Sequence, residues 1–120
     1  MHERMKSEHE IQKEIMLAVS PDCCIFRTNA GRFWQGKVVY SKEFGQNVLI
    51  NLKCVDGLPQ GYSDLSGVRK SDGKAVFIEV KREDGKIRPE QERFINAMRA
   101  NHALAGVARS KEEALRIIWT

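Results

Sequence analysis

Apolar residues recur in this 120-residue chain at the three- and four-residue spacing that is typical of amphipathic helices. In the first such segment, Ile11, Ile15 and Val19 fall on one helical face. A later helix is predicted to begin at Pro89, because proline suits the first helical position. The predicted helices span residues 7–19, a segment that begins at Pro89, and residues 111–118.

Short runs of β-branched and aromatic residues between these helices predict β-strands. The pair Asp72-Gly73 separates two of the runs, and Asp-Gly is a strong signal for a tight hairpin. We therefore expect residues 64–69 and 75–81 to be antiparallel neighbours. Further strands are predicted at residues 24–27, 37–40, 48–52 and 104–108, with a turn at residues 29–31.

The order of these elements predicts the fold class α/β, with a mixed β-sheet flanked by helices, in a single domain over residues 1–120. We interpret the stretch from Phe33 to Leu58 as a β-hairpin elaboration of that core. Its aromatic residues Trp34, Tyr40 and Phe44 are compatible with a dimer surface, a DNA surface or an ordinary core. The sequence leaves these alternatives open.

The strand at residues 75–81 is apolar and β-branched, yet it contains Glu79 and Lys81. Successive strand side chains point to opposite faces, so these two charges share one face while Val80 packs on the other. Burying a carboxylate is costly unless it is compensated, and a divalent cation compensates it strongly. The alternative is a same-face ion pair on a solvated edge strand, which contributes a fraction of a kcal/mol.

The predicted hairpin would bring Asp64, at the start of one strand, close to Glu79, near the end of its partner. Mg²⁺ prefers hard oxygen ligands and retains several waters, so two or three carboxylates suffice to hold it. Carboxylates with a lysine beside a metal site are what phosphodiester hydrolysis requires, and we expect Lys81 to orient the attacking water or offset phosphate charge. Asp64 could alternatively be an ordinary turn residue.

Two residues on helices are further candidates for this site. Gln91 shares a helical face with Phe94 and Ile95, so its amide could hydrogen-bond a carboxylate ligand, a water or a phosphate. Glu8 lies on the apolar face of the first helix, whereas Glu10 is explained by a capping interaction with Ser7. The alternatives are an exposed first-turn position for Gln91 and a favourable helix N-terminal charge for Glu8.

Composition favours a polyanionic partner and gives no sign of membrane insertion. The net charge is +4 and the sequence pI is about 9.1, which favours nucleic acid without establishing it. No apolar run approaches the roughly 18–20 residues of a membrane span, and no signal peptide is apparent. We therefore expect a soluble cytoplasmic protein. Cys23, Cys24 and Cys54 have no zinc-site spacing and are expected to be small core thiols in a reducing compartment.

With these residues in place, the chain resembles the VRR-NUC family (virus-type replication-repair nucleases), a branch of the PD-(D/E)XK nuclease superfamily. The resemblance runs over nearly the whole chain, and its ordered set of motifs is more specific than Glu-x-Lys alone. One departure is Ser63, where many relatives have proline before the aspartate. The motifs are Ser7-Glu8 with Ile11 and Ile15, Phe26-Arg27-Thr28-Asn29-Ala30-Gly31, Gly61-Tyr62-Ser63-Asp64-Leu65, Phe77-Ile78-Glu79-Val80-Lys81, Arg88-Pro89-Glu90-Gln91, and Val107-Ala108-Arg109-Ser110 with Glu113-Ala114.

The resemblance implies a restriction-endonuclease-like core and a DNA endonuclease that depends on Mg²⁺ or Mn²⁺. It implies Asp64, Glu79 and the backbone carbonyl of Val80 as metal ligands, with Glu8 as a further candidate ligand. Lys81 would be the catalytic lysine, Gln91 a site residue on the following helix, and Glu8 the acid of the first helix.

Short members of this family come largely from bacteriophages and are similar to Holliday-junction resolvases in being homodimers. The resemblance thus implies a homodimer that cuts branched DNA in the cytoplasm of a bacterial host. Two alternatives remain at this point. One is a nuclease for flaps or single-strand overhangs, and the other is a DNA-binding module that retains the fold without catalysis.

Overall fold

The computed structural model describes residues 4–28 and 32–119, so the turn predicted at residues 29–31 lies outside the described residues. The helices and strands follow in the order predicted from the sequence. They are α1 (Glu8–Val19), β1 (Cys23–Arg27), β2 (Arg32–Ser41), β3 (Gln46–Asp56), β4 (Leu65–Arg69), β5 (Ala75–Val80), α2 (Pro89–Ala100), β6 (Leu104–Ala108) and α3 (Lys111–Ile118).

Within the described residues, four strands form the central sheet in the order β1-β4-β5-β6. The pairs β1–β4 and β4–β5 are antiparallel, and β5–β6 is parallel. The hairpin predicted from Asp72-Gly73 is confirmed, because Leu65 pairs with Ile78 and Val68 with Ala75. The mixed sheet with flanking helices confirms the predicted α/β class and is consistent with a restriction-endonuclease-like fold.

The two faces of β5 have different neighbours, and this difference determines where the polar residues can lie. Val76, Ile78 and Val80 are fully buried in the main core, together with residues of α1 and α3 such as Ile15 and Ile118. The alternate residues of β5 point to the opposite face, which α2 covers. There the rings of Tyr62, Phe77 and Phe94 pack together, with centroids 4.7–5.7 Å apart.

Strands β2 and β3 form a separate two-stranded antiparallel sheet that is longer than the sequence predicted. Trp34, Tyr40 and Phe44 are 63%, 65% and 66% exposed, so the interpretation of these residues as ordinary core is wrong. Their exposure could not be inferred from local pattern, because it arises from two strands that pack mainly on each other and not on the central sheet. The radius of gyration is 17.6 Å. A compact chain of this length would have about 14 Å, which shows how far the molecule departs from a sphere.

Three smaller sequence-based expectations also differ from the structure. Strand β4 begins at Leu65 and β5 ends at Val80, so Asp64 and Lys81 lie just beyond the strand ends. The reason is that the Asp64 carboxylate, not a strand carbonyl, accepts the Val80 N–H. The expectation of core thiols holds for Cys23 alone, because Cys24 and Cys54 are exposed free thiols.

Candidate active site

Asp64 and Glu79 come together at the end of the β4–β5 hairpin. Since Leu65 pairs with Ile78, the next position in the register places Asp64 opposite Glu79. The Val80 N–H donates to Oδ2 of Asp64 over 2.8 Å, which fixes this carboxylate beside the end of β5. Directly opposed residues of an antiparallel pair point to the same face. The hairpin thus places two carboxylates on the face of the sheet that α2 covers.

The loop before Asp64 is held from both sides. Gly61 has φ +90°, and a Cβ at this position would lie 2.4 Å from the carbonyl oxygen of Glu90 in α2. The Thr28 N–H donates to the Asp64 carbonyl over 2.8 Å, and the Thr28 hydroxyl donates to the Ser63 carbonyl. The close approach to α2 and the bonds from Thr28, the residue after β1, hold Asp64 in addition to the β4–β5 register.

Gln91 connects the first turn of α2 to the buried carboxylate. Its Nε2 donates to Oε1 of Glu79 over 2.8 Å, and its Oε1 accepts the Arg88 N–H over 3.0 Å. The alternative of an exposed first-turn residue is wrong, because Gln91 is buried. Since one end of the amide is occupied by the backbone, the other end must present its donor to Glu79.

Lys81 follows β5 and lies beside the same carboxylate. Its Nζ is 3.9 Å from Oε1 of Glu79, and its side chain is only 11% exposed. The alternative of a solvated edge strand is wrong, because β5 lies between β4 and β6 and Glu79 is 1% exposed. A buried ion pair of this kind is poor evidence for added stability, so a functional reason for it is more informative.

The pKa of Glu79 is raised from its ordinary value of 4.5 to about 8. Burial is the largest cause, and the negative charge of Asp64 is the next. The Lys81 ammonium lowers this pKa and so offsets part of the shift, whereas the charge of Glu8 raises it further. When no metal ion is bound, a proton on Glu79 therefore relieves the repulsion between the carboxylates of Asp64 and Glu79.

Glu8 and Glu10 have different roles at the N-terminus of α1. Glu10 forms the predicted capping box with Ser7 and also pairs with Arg4, with an N–O distance of 2.8 Å. Glu8 is exposed in the first turn, yet its charge acts on Glu79. The structure therefore confirms the capping role of Glu10, whereas a role of the exposed Glu8 at the site stays a prediction.

Comparison with known protein families matches the VRR-NUC domain to residues 34–112. The chain belongs to the VRR-NUC family. Membership implies a nuclease that acts on DNA, and nucleases of the PD-(D/E)XK type generally use divalent metals. Asp64, Glu79, Lys81 and Gln91 all lie inside the matched segment, whereas Glu8 lies before it. A search of curated proteins found no match.

The donor set of this VRR-NUC site suits a hard cation with water ligands better than a fully protein-bound ion. Among residues 4–28 and 32–119, no three Asp, Glu, His or Cys side chains cluster closely enough to hold a metal ion. Asp64 and Glu79 offer carboxylate oxygens, and Oε2 of Glu79 is buried without a hydrogen-bond partner in the described part of the chain. A buried carboxylate oxygen without a hydrogen-bond partner is suited to coordinate a metal ion.

Sequence reasoning missed the residues that position Asp64 in this VRR-NUC domain. Gly61 and Thr28 fall within motifs that carried the family resemblance, but their contacts with Glu90 and Ser63 join segments distant in sequence. The glycine three residues before Asp64 was the available signal for a close backbone approach. Among the described helices, none is both long enough and apolar enough to span a membrane.

Proposed function

We propose that this VRR-NUC protein is a metal-dependent endonuclease that cuts branched DNA as a homodimer, in the manner of a Holliday-junction resolvase. The observation that carries the proposal is the grouping at the end of β5. Asp64 is opposite Glu79, and the Lys81 Nζ is 3.9 Å from the Glu79 carboxylate. A protein that only binds DNA has no use for a buried carboxylate beside a second one.

Each residue of the group has a defined part in this proposal. Asp64 and Glu79, with the Val80 carbonyl, hold Mg²⁺ or Mn²⁺, which when bound lowers the pKa of a water ligand and offsets phosphate charge. Lys81 orients the attacking water or stabilises negative charge that develops on the phosphate. Gln91 holds Glu79 in one orientation through its 2.8 Å hydrogen bond, so that Oε2 remains available.

Net charge and exposed apolar surface support a DNA substrate and a dimeric assembly. The net charge of +4 favours a polyanionic partner. The hairpin β2–β3 exposes large apolar side chains that a second copy could cover, and a two-fold dimer presents two sites to opposed strands of a junction. The exposed hydrophobic residues of this hairpin are Phe33, Trp34, Val38, Tyr40, Phe44, Leu49, Ile50 and Leu52.

Cleavage of a panel of labelled DNAs of equal sequence tests the substrate. The panel contains a four-way junction, a 5′ flap, a 3′ overhang and a linear duplex, each with Mg²⁺, with Mn²⁺ and with EDTA. The proposal expects paired nicks in the junction only when a metal is present. A preference for flaps by a monomer would refute the junction assignment, and salt-sensitive binding without cleavage in any metal would refute the nuclease.

Metal binding has a readout that does not depend on cleavage. Titration calorimetry with Mn²⁺ in the absence of DNA should show binding that Asp64→Asn and Glu79→Gln each weaken at least about tenfold, because each removes a hard ligand. Glu8→Gln should weaken it in the same direction if Glu8 is a ligand. Unchanged Mn²⁺ affinity in both Asp64→Asn and Glu79→Gln would contradict the assigned ligand set.

A further inference from the structure

The segment that connects β5 to α2 joins both halves of the candidate site. It begins with Lys81, which follows Val80 at the end of β5, and ends with Arg88, whose N–H donates to Gln91. Its first residue is fixed by a backbone bond of 3.1 Å from the Lys81 N–H to the Ala108 carbonyl at the end of β6. Any change in this segment therefore alters the backbone from which Lys81 projects.

Arg109, the residue that follows β6, holds the turn in this segment. Its Nη1 donates to the carbonyl of Arg82 and to the carbonyl of Gly85, both over 2.6 Å. The Gly85 N–H also donates to the Arg82 carbonyl over 3.0 Å. The turn is therefore held by a hydrogen bond of its own as well as by the bonds from Arg109. A Cβ on Gly85 would lie 3.3 Å from the N and O atoms of Arg82, which shows how compact the turn is.

We infer that Arg109 is a positioning residue that acts through Lys81. Two consecutive residues hold this backbone: Ala108 accepts the N–H of Lys81 itself, and Arg109 donates to the carbonyls of Arg82 and Gly85 after it. Their hydrogen bonds fix the backbone from which the Lys81 side chain projects, and the Nζ of that side chain lies 3.9 Å from Oε1 of Glu79. Because catalysis depends on placement to within about 1 Å, loosening this turn lowers turnover without removing any reacting group. This inference rests on the proposed nuclease function.

A guanidinium suits this task better than the alternatives. Arginine carries its donors on a rigid planar group, whereas a lysine ammonium is a point charge on a flexible stem. Arg109→Lys preserves the charge and part of the bonding, and Arg109→Gln removes the charge. Lys74→Ala is the charge-matched control for Arg109→Gln, since Lys74 is exposed at the opposite end of β5 from Glu79.

The test measures kcat and KM for junction cleavage in the wild type and these variants, with thermal unfolding to confirm folding. Arg109→Gln should lower kcat about tenfold with KM changed less than about twofold, Arg109→Lys should lie between, and Lys74→Ala should match the wild type. In a Lys81→Arg background, the charged group at position 81 is already displaced from its place beside Glu79. Arg109→Gln should therefore lower kcat by less than about twofold in that background. Amide hydrogen exchange should show faster exchange at Gly85 and unchanged exchange at Ile78.

Each contrary outcome is distinguishable from failure of the proposed function. If Arg109→Gln raised KM without changing kcat, and if its effect multiplied with that of Lys81→Arg, Arg109 would contact the phosphate directly. That result would overturn the positioning role. Wild-type kcat in Arg109→Gln, with Lys81→Ala inactive, would overturn only this inference. Wild-type cleavage by Lys81→Ala would overturn the proposed function itself. If Arg109→Gln does not fold, Arg109→Lys and the exchange at Gly85 decide the question.

Discussion

Among single residues, Glu79 is the most unusual, because it is a buried carboxylate with a raised pKa. It is 1% exposed, accepts a hydrogen bond from Gln91 on Oε1 and leaves Oε2 without a partner in the described part of the chain. Burial, and then the negative charge of Asp64, favour a proton on Glu79 and raise its pKa to about 8. The charged form of Glu79 is thus unfavourable in this fold when no metal ion is bound.

This pKa predicts an unusual pH dependence for the metal-free protein. Between the ordinary value of 4.5 and about 8, the folded state holds a proton on Glu79 that the unfolded state has lost. The resulting stabilisation is fully present below pH 4.5 and is lost as pH rises through 8. Glu79→Gln keeps a neutral side chain at every pH. We therefore expect the wild type in EDTA to lose at least about 4 °C of Tm relative to Glu79→Gln between pH 5 and pH 9.

The matched control for this measurement is Glu43→Gln, which removes an exposed carboxylate between β2 and β3. Its Tm should follow the wild type over the whole pH range. Parallel Tm curves for the wild type and Glu79→Gln would contradict a proton on Glu79.

At the element scale, the site depends on a hairpin and on the loop that leads into it. The Asp72-Gly73 turn was enough to predict that β4 and β5 pair, and with them Asp64 and Glu79. The sequence also indicated the first turn of α2, from Pro89, and the capping box of Ser7 with Glu10. These features were predictable because turn and cap chemistry act over a few residues.

Contacts between distant segments were not predictable in the same way. The bonds of Thr28 to the Asp64 loop, and of Arg109 to the turn after Lys81, join residues more than 20 positions apart. The exposure of Trp34 likewise depends on where the hairpin lies relative to the sheet. Local pattern indicates which residues are apolar, but it does not indicate what covers them.

The Asp64 loop makes a prediction of its own. Gly61→Ala would combine a left-handed φ of +90° with a Cβ 2.4 Å from the Glu90 carbonyl, so either the loop or α2 must move. We expect a loss of about 2–4 kcal/mol in the free energy of unfolding, measured by urea denaturation. Cleavage should fall even at temperatures where the variant remains folded, because Asp64 follows three residues later.

Gly73→Ala provides the control that separates backbone strain from collision. Gly73 has φ +74°, but a Cβ there meets nothing within 4 Å. Its cost should be about 1–2 kcal/mol, the penalty for a left-handed residue alone, with cleavage retained. Equal costs for the two substitutions would show that the packing of Gly61 on α2 is unimportant.

At the scale of the whole molecule, the hairpin β2–β3 sets the shape and the expected assembly. Val38 and Leu49 pair directly across the two strands and are 61% and 48% exposed. Contiguous apolar surface of this kind marks an interaction site on a folded protein. A second copy of the chain is the partner we propose for it.

The dimer prediction is tested by light scattering after size-exclusion chromatography. The wild type should have twice the 13.7 kDa chain mass, and Leu49→Lys should have the mass of one chain. Leu17→Lys is the control, because Leu17 is an equally apolar, exposed residue on α1. A monomeric wild type, or a Leu49→Lys variant that remains dimeric, would exclude this hairpin as the dimer surface.

The central claim is that the residues at the end of β5 hydrolyse DNA. Its most direct test is single-turnover cleavage of a four-way junction with Mn²⁺ by the wild type, Lys81→Ala and the charge-matched Lys74→Ala. We expect Lys74→Ala to cleave like the wild type and Lys81→Ala to be slower by at least about 100-fold while binding the junction equally well. Equal cleavage rates for Lys81→Ala and the wild type would contradict it.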